Sequence, residues 1–251
     1  MMNTFSIITV SFNSADTITD TIESITGQDY PEVEYLVIDG NSKDDTPDIL
    51  ENFSDRINVL ISEPDKGIYD AMNKGIELAT GDVIGILNSD DVYADLSVLS
   101  DVAKLFENPE IDGVYADLVY VERKNTDKVK RKWISGEYKH GAFKKGWMPP
   151  HPTFFVRRSV YEKYGLFNLE FSSAADYELM LRFIHKNNIK IDYLPRVIIK
   201  MRVGGQSNIT FKNRVLANKE DRKAWEVNDL KPGKLTFIRK PLSKIGQFLN
   251  R

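Results

Sequence analysis

Four short polar clusters follow four apolar runs in the first hundred residues: Ser11-Phe12-Asn13, Asp39-Gly40-Asn41-Ser42-Lys43-Asp44-Asp45-Thr46, Glu63-Pro64-Asp65-Lys66-Gly67 and Asn88-Ser89-Asp90-Asp91. Three of them carry carboxylates. Acids gathered on one rim repel each other and lose hydration unless a cation or a hydroxyl-rich ligand compensates. A single Asp after a strand normally caps the next helix; its recurrence after three strands favours a ligand site. No Gly-x-Gly-x-x-Gly follows the first run and no Gly-rich loop ends in Lys-Ser/Thr, so neither a dinucleotide fingerprint nor a P-loop is supported. Acidic side chains reach phosphates only through a divalent cation such as Mg²⁺ or Mn²⁺, held by one or two carboxylates and the ligand's own oxygens. The chemistry this favours is a metal-bound diphosphate whose departing charge the cation neutralises.

These clusters need elements to carry them. Phe5–Val10, Tyr35–Ile38, Ile57–Ile61 and Asp82–Leu87 are short, apolar, β-branched runs. Between them, Ile18, Ile22 and Ile25 share one helical face, Pro47–Phe53 is a short helix, and Gly67–Ala79 has the clearest helical period. Strands this continuously apolar, alternating with helices, predict a mixed, mostly parallel central sheet flanked by helices, an α/β fold. Ligands in such sheets sit beyond the carboxyl ends of the strands, where the four clusters fall. Farther on, Val114–Glu122 and Val129–Ile134 read as a hairpin, and Gly136–Pro152 as a Gly/Pro-rich segment. Thr153–Val156 reads as a strand, Ser159–Tyr164 as a short helix and Asp176–Lys186 as a longer one. Lys190–Tyr193 and Val197–Arg202 are two more strands before the turn Gly204-Gly205.

Composition narrows the class. The 251 residues are 41% hydrophobic and 28% charged, which suits a folded globular chain. A net charge of −3 gives no cationic footprint for nucleic acid. Without cysteine, thiolate nucleophiles, zinc–thiolate sites and disulfides are excluded, and a reducing cytoplasm fits. The sequence has no signal-peptide pattern and no apolar run near the roughly 20 residues that span a bilayer. The expected location is the cytoplasm, with contact at the inner face of the membrane. That contact would use the tail, where Lys231, Lys234, Arg239, Lys240, Lys244 and Arg251 stand among Leu235, Ile238, Leu242, Ile245 and Leu249 without an acid. The same tail is equally consistent with a helix docked on the protein.

Ser6-Ile7-Ile8-Thr9-Val10-Ser11-Phe12-Asn13, Val37-Ile38-Asp39-Gly40-Asn41-Ser42 with Asp45-Thr46, Glu63 to Gly75, Leu87-Asn88-Ser89-Asp90-Asp91 and Ala174-Ala175-Asp176-Tyr177-Glu178-Leu179 together resemble the inverting glycosyltransferases of family 2, with the GT-A fold. The likeness runs from Phe5 to Asn208. It implies one catalytic domain over 1–208, with a nucleotide-sugar-binding half over about 1–100, an acceptor-binding half over about 110–208 and a helical basic tail over 209–251. The implied donor is a nucleoside diphosphate sugar such as a UDP-sugar. The implied acceptor is a saccharide or lipid-linked saccharide, in bacterial surface polysaccharide assembly.

By matching position, Thr9, Phe12, Asp39 and Asp65 would surround the base and ribose. Asn88 and Asp90 hold the outer places of the family's Asp-x-Asp motif, with Ser89 between them beside the nucleotide. Asp90 would bind the metal; Asn88 would face the ribose or a metal-bound water; Asp91 would cap or stand behind the site. Asp176 would be the general base that deprotonates the acceptor hydroxyl. His151 would line the acceptor site, and Trp147 either stacks on a sugar or plugs the core. Gly204-Gly205-Gln206-Ser207 would close over the phosphates, with Arg202 offsetting their charge. His185 is expected on the outer face of its helix, without a role. Asn in place of the first Asp removes one charge, which leaves room for a second reading: a non-catalytic nucleotide- or carbohydrate-binding protein that keeps the fold. A sugar-nucleotide-forming nucleotidyltransferase would need a Gly-rich basic loop that Ser11–Asp16 does not provide.

Overall fold

A computed structural model describes residues 2–204 and 211–243. Strand β1 (Phe5–Ser11) is buried along its whole length, because helices cover both faces of the sheet it centres. Its alternating side chains serve two cores. Ile8 and Val10, with Leu36, Ile38, Ile84 and Ile86, pack under Ala71, Met72 and Ile76 of α3 (Ile68–Leu78). Phe5 and Ile7, with Tyr35, Val37 and Val83, pack under Ile18, Ile22 and Ile25 of α1 (Ile18–Thr26) and under Val98, Leu99, Val102 and Phe106 of α4 (Val98–Phe106). Period-two strands and period-3.6 helices are here reconciled on one sheet.

The first half pairs in parallel. β2 (Val33–Asp39) and β4 (Val83–Ile86) flank β1, and β3 (Val59–Ser62) lies outside β2. Short α2 (Thr46–Asn52) follows β2. The sheet continues through β8 (Phe155–Arg157), β6 (Gly113–Glu122), β9 (Ile191–Arg202) and β5 (Asp91–Tyr93), in the order β3-β2-β1-β4-β8-β6-β9-β5, with β7 (Asn125–Trp133) hairpinned onto β6. The expected mixed, mostly parallel α/β sheet is therefore the architecture.

Several boundaries differ. Lys190–Tyr193 and Val197–Arg202 are parts of one strand, bulged against Ala116–Leu118 where Pro195 interrupts the pairing. Strand β5 is three residues long and opens with a buried acid, so nothing in its pattern announces it. Helix α4 does carry an apolar stripe at helical spacing, a legible signal that the strand-to-loop reading passes over.

Helix α5 (Arg158–Tyr164) precedes α6 (Ala175–Met180), which widens into a π-helical turn, Leu181–Lys186. This extra residue in the turn, together with α7 (Phe211–Val227), corrects the expected place of His185. It is 8% exposed, stacked near Phe143 and Trp225. Burial pushes its pKa down, and its Nδ1 has no hydrogen-bond partner.

The tail packs inward. Trp225 is fully buried in the α3-side core, and Phe237 of α8 (Thr236–Ser243) packs against that core. Thr236 Oγ1 donates to the Lys144 carbonyl at 2.6 Å. The described part of the tail is thus a docked helical pair; Lys244, Ile245, Leu249 and Arg251 lie outside the described residues. No helix among the described residues is long and apolar enough to cross a membrane.

Gly75 sets the distance between α3 and the sheet: a Cβ there would stand 2.5 Å from Ile8 Cγ2. Gly75→Ala is expected to destabilise the fold by about 1–3 kcal/mol through overpacking. Urea unfolding should show a lower midpoint at unchanged slope.

Candidate active site

Asp39 ends β2 and is fully buried, so its carboxylate must be satisfied internally. Oδ1 accepts from Ser11 Oγ at 2.8 Å and Ser42 Oγ at 2.5 Å; Oδ2 accepts from Ser42 N at 2.9 Å and Ser62 Oγ at 2.7 Å. Burial works to raise its pKa, but the bonds from Ser42, Ser62 and Ser11 outweigh it and hold the carboxyl below the ordinary aspartate range. One side chain thereby ties together the ends of β1, β2 and β3.

The loops after β1 and β2 are stitched further. Asn13 N donates to Ser42 Oγ and Lys43 N to Asn13 Oδ1, both at 2.8 Å. Asn13 and Asn41 take left-handed backbone angles (φ 51° and 62°), which Asn tolerates best among residues with a side chain.

Beside this knot, Phe12 and Asp65 meet over Gly40. A Cβ on Gly40 would stand 2.4 Å from Asp65 Oδ2 and 3.3 Å from Phe12 Cδ2. Phe12 is 55% exposed, an open aromatic face, and Asp65 is braced by the Gly67 N–H at 2.8 Å. Thr9 differs from expectation. Its side chain points into the α1-side core, fully buried, with Tyr35 OH donating to Oγ1 at 3.1 Å. The odd-numbered face of β1 looks inward, so the Thr9 side chain is not presented to the rim.

The Asn88–Asp91 turn takes the chain from β4 to the far-edge strand β5. Ser89 Oγ shares a 2.7 Å hydrogen bond with Ser14 Oγ, joining this turn to the loop after β1. Burial raises the Asp90 pKa, while Arg123 and Arg202 pull it down. Asp91 is not a helix cap. It is a fully buried strand residue whose Oδ1 accepts from Arg202 N at 3.2 Å. Burial, then the charge of Asp90, push its pKa well up. Asn88 Oδ1 and Asp91 Oδ2 make no close hydrogen bond, and the Asn88 side chain beside Asp91 works against the rise in its pKa.

Buried oxygens without donors, next to a carboxylate disfavoured by burial, are what a hard cation relieves. Among the described residues no three acidic or histidine side chains form a cage. These oxygens therefore fit an ion that completes its shell with ligand phosphate oxygens.

Arg202 has a different place from the one expected. It is 4% exposed, with Nη1 donating to the Asp90 carbonyl at 2.9 Å, Nε to the Arg123 carbonyl at 3.0 Å and Nη2 to the Asp20 carboxylate. It pins the turn and does not face a ligand. The exposed cation next to Asp90 is Arg123, at the β6–β7 hairpin tip. Sequence reading missed it because the hairpin register decides where the tip falls. Gly205, Gln206 and Ser207 lie outside the described residues.

Asp176 sits in the first turn of α6, partly buried, with Tyr69 OH donating to Oδ1 at 3.4 Å. Tyr69 stacks on Phe167, and His151 meets the other side of Phe167 edge-on. His151 is 9% exposed; burial lowers its pKa, while the nearby Asp176 charge opposes that. Tyr69 is four residues beyond Asp65, so α3 links the Asp65 loop to the Asp176 cluster. Partly buried Trp147 lies against Tyr115, Tyr138 and Phe143, and its Nε1 donates to the Ser135 carbonyl at 2.8 Å.

Residues 6–165 match the family described as "Glycosyl transferase family 2". The chain belongs to that family and is a glycosyltransferase. It is 32% identical to the "Uncharacterized glycosyltransferase Rv1514c" of Mycobacterium tuberculosis (strain H37Rv) over 191 residues, 71% of this chain and 68% of that one. It is 29% identical to the "PGL/p-HBAD biosynthesis glycosyltransferase Rv2957" of the same organism, over 81% of this chain and 79% of the relative.

Two solved structures share the GT-A architecture. S. aureus TarS 1-349 in complex with UDP-GlcNAc superposes with a TM-score of 0.68 at 18% identity, over 98% of this chain and 72% of that one. The chain spans 43% of a longer TarS chain. The mannosyltransferase PcManGT of Pyrobaculum calidifontis, in complex with GDP-Man and Mn2+, gives 0.70 at 19% identity, over 99% and 70%.

Because the folded Asp39 titrates below an unfolded aspartate near about 3.9, its contribution to stability is complete above that value. It is lost as the pH falls through the lower folded value. Asp39→Asn should therefore be less stable than wild type near neutrality, by about 1–3 kcal/mol. Urea titrations at a series of pH values should show that gap closing as the pH is taken towards 3.

Proposed function

We propose that this glycosyltransferase transfers a sugar from a nucleoside diphosphate donor to a hydroxyl acceptor, with inversion at the anomeric carbon and with a divalent ion at the Asn88–Asp91 turn. The observation that carries this is the turn itself. It has a carboxylate raised by burial and two buried oxygens without donors, on the rim that also bears Phe12, Asp39 and Asp65. Phe12 offers its exposed ring to the base. Asp65 and the loop that Asp39 braces surround base and ribose, together with Asn88 and Ser89.

Asp90 would hold the ion, and Asn88 would face the ribose or an ion-bound water. When bound, the ion, Mn²⁺ or Mg²⁺, neutralises the charge of the leaving diphosphate. Asp176 takes the proton from the acceptor hydroxyl as it attacks in line, with the Tyr69 hydroxyl bonded to its Oδ1 to fix the carboxylate's rotamer. His151, packed on Phe167 beside Asp176, lines the acceptor side.

The setting we favour is cell-surface glycan assembly at the inner membrane face. It is supported by the names of relatives, among them the Bacillus subtilis "Putative teichuronic acid biosynthesis glycosyltransferase TuaG", 39% identical over 35% of this chain and 36% of that one. A saccharide or lipid-linked saccharide is the acceptor on this reading.

The test is release of nucleotide from UDP- and GDP-sugars, with and without Mn²⁺, in the presence of saccharide and lipid-linked acceptors. Asp90→Ala should abolish the metal response. Asp176→Ala should lower kcat by about 10²–10⁴-fold with donor binding retained. Donor binding without turnover in any combination would favour a non-catalytic binding protein instead. Full activity in either variant would remove that residue's role.

A further inference from the structure

An aspartate can act as a base only if the backbone beneath it is held. Helix α6 supplies little of that by itself. It is six residues long, its cap residue Ala174 has no side-chain acceptor, and the residues before it, Ser172 and Ser173, lie in a loop. The N–H groups of the loop that leads into it must nevertheless find acceptors.

They find them on a single carboxylate from the far end of the chain. Glu220, on α7, accepts from Ser172 N at 3.0 Å and Ser172 Oγ at 2.7 Å on Oε1, and from Ser173 N at 2.8 Å and Ala174 N at 2.9 Å on Oε2. Four donors on two oxygens saturate the carboxylate. Glu220 is 8% exposed; burial works to raise its pKa, and these bonds more than offset it, so it stays ionised.

Helix α7 and the turn that ends it hold α6 at two further points. Trp225 Nε1 donates to Tyr177 OH and Asn228 Nδ2 to Glu178 Oε1, both at 2.9 Å, and Tyr177 and Glu178 follow Asp176 directly. The loop is gripped in front of Asp176 and the helix behind it, all from residues 220–228. None of this lies within the 6–165 stretch that matches the family.

We propose that Glu220 is the positioning residue for Asp176: its carboxylate clamps the loop that enters α6 and so sets the backbone from which the base reaches the acceptor. This rests on the reading of Asp176 as the base. It assigns a role in the transfer step to α7, whose sequence mixes acids and bases and carries little apolar stripe. Glu220 touches neither donor rim nor acceptor in this account, so its loss should act on kcat through Asp176 and not on donor binding.

Glu220→Gln keeps the size but sets an NH₂ against N–H donors, leaving at least one of Ser172, Ser173 and Ala174 unmatched. The expected result is a fall in kcat of roughly 10–100-fold, the scale of a misplaced catalytic group. The KM for the nucleotide sugar and the Kd for the nucleoside diphosphate should be unchanged. Placed in an Asp176→Asn background, Glu220→Gln should add no further loss, because residues that act as a unit are not additive.

Ser172→Ala is the second variant. It removes only the hydroxyl bond and should give a smaller kcat loss with the same KM, in a protein whose folding does not depend on the charge change. Full kcat in Glu220→Gln and Ser172→Ala would overturn the proposal. So would a loss that is equal in the Asp176→Asn background, or one that lowers donor affinity in parallel, since either marks a purely structural contact. If Asp176→Asn itself keeps wild-type kcat, it is the assignment of the base that falls.

Discussion

The guanidinium of Arg202 joins the two halves of this molecule. It reaches from the end of β9 to the Asp90 carbonyl, to the Arg123 carbonyl at the hairpin tip and to the Asp20 carboxylate on α1, while its own N–H meets Asp91 Oδ1. A buried planar fork with several donors can satisfy acceptors from three elements at once, which an ammonium group could not do with the same geometry. The turn that leaves β4 for β5 has almost no regular structure of its own. Its shape is set by that side chain and by the Ser14–Ser89 contact. The oxygens available to a diphosphate-bound ion are therefore placed by a residue more than a hundred positions farther along.

The carboxylates around the rim are supported very unequally, and the inequality sorts their roles. Asp39 accepts four hydrogen bonds and is fixed as a charged strut. Asp91 is equally buried, but its one close donor is the Arg202 N–H, with the Asn88 side chain beside the carboxyl. Asp90 stands between them, partly buried, with Arg123 and Arg202 as its nearest countercharges. A polypeptide that only needed these residues as caps would satisfy them as it satisfies Asp39. Leaving oxygens orphaned is costly unless a ligand completes them, which is why the turn and not the strut carries the functional reading.

The acceptor side follows a different logic, built from aromatic packing. Tyr69, Phe167 and His151 form an aromatic cluster beside Asp176, and Phe143, Trp147, Tyr115 and Tyr193 form a second around the Gly136–Pro152 segment. The tail closes this region from outside, with Lys240 over the Tyr177 ring and Trp225 beside His185. Helix α7, with little amphipathic pattern, thus becomes structural through Glu220 and Trp225, with Asn228 just past its end.

Much of the fold was legible because its signals are local. The β-branched run of β1, the Ile18/Ile22/Ile25 face and the Ala71/Met72/Gly75/Ile76 stripe each declare their element within a dozen residues. The rim loops follow from strand ends in a parallel sheet, so Phe12, Asp39, Asp65 and Asp90 were visible as candidates. The sequence by itself determined these: the elements around β1 to β4 apart from α4, the parallel half and the residue chemistry at the strand ends.

Tertiary structure alone decided the direction of each side chain and the identity of its partner. It turned Thr9 inward, made Asp91 a strand residue, committed Arg202 to the turn, brought Arg123 to Asp90, packed Trp147 against the core and buried His185. It also set Glu220 under the loop of Asp176. Each of these depends on pairing register or on a contact between segments far apart in the chain. Short-range periodicity carries no information about such contacts, because their energy appears only when the distant partner arrives.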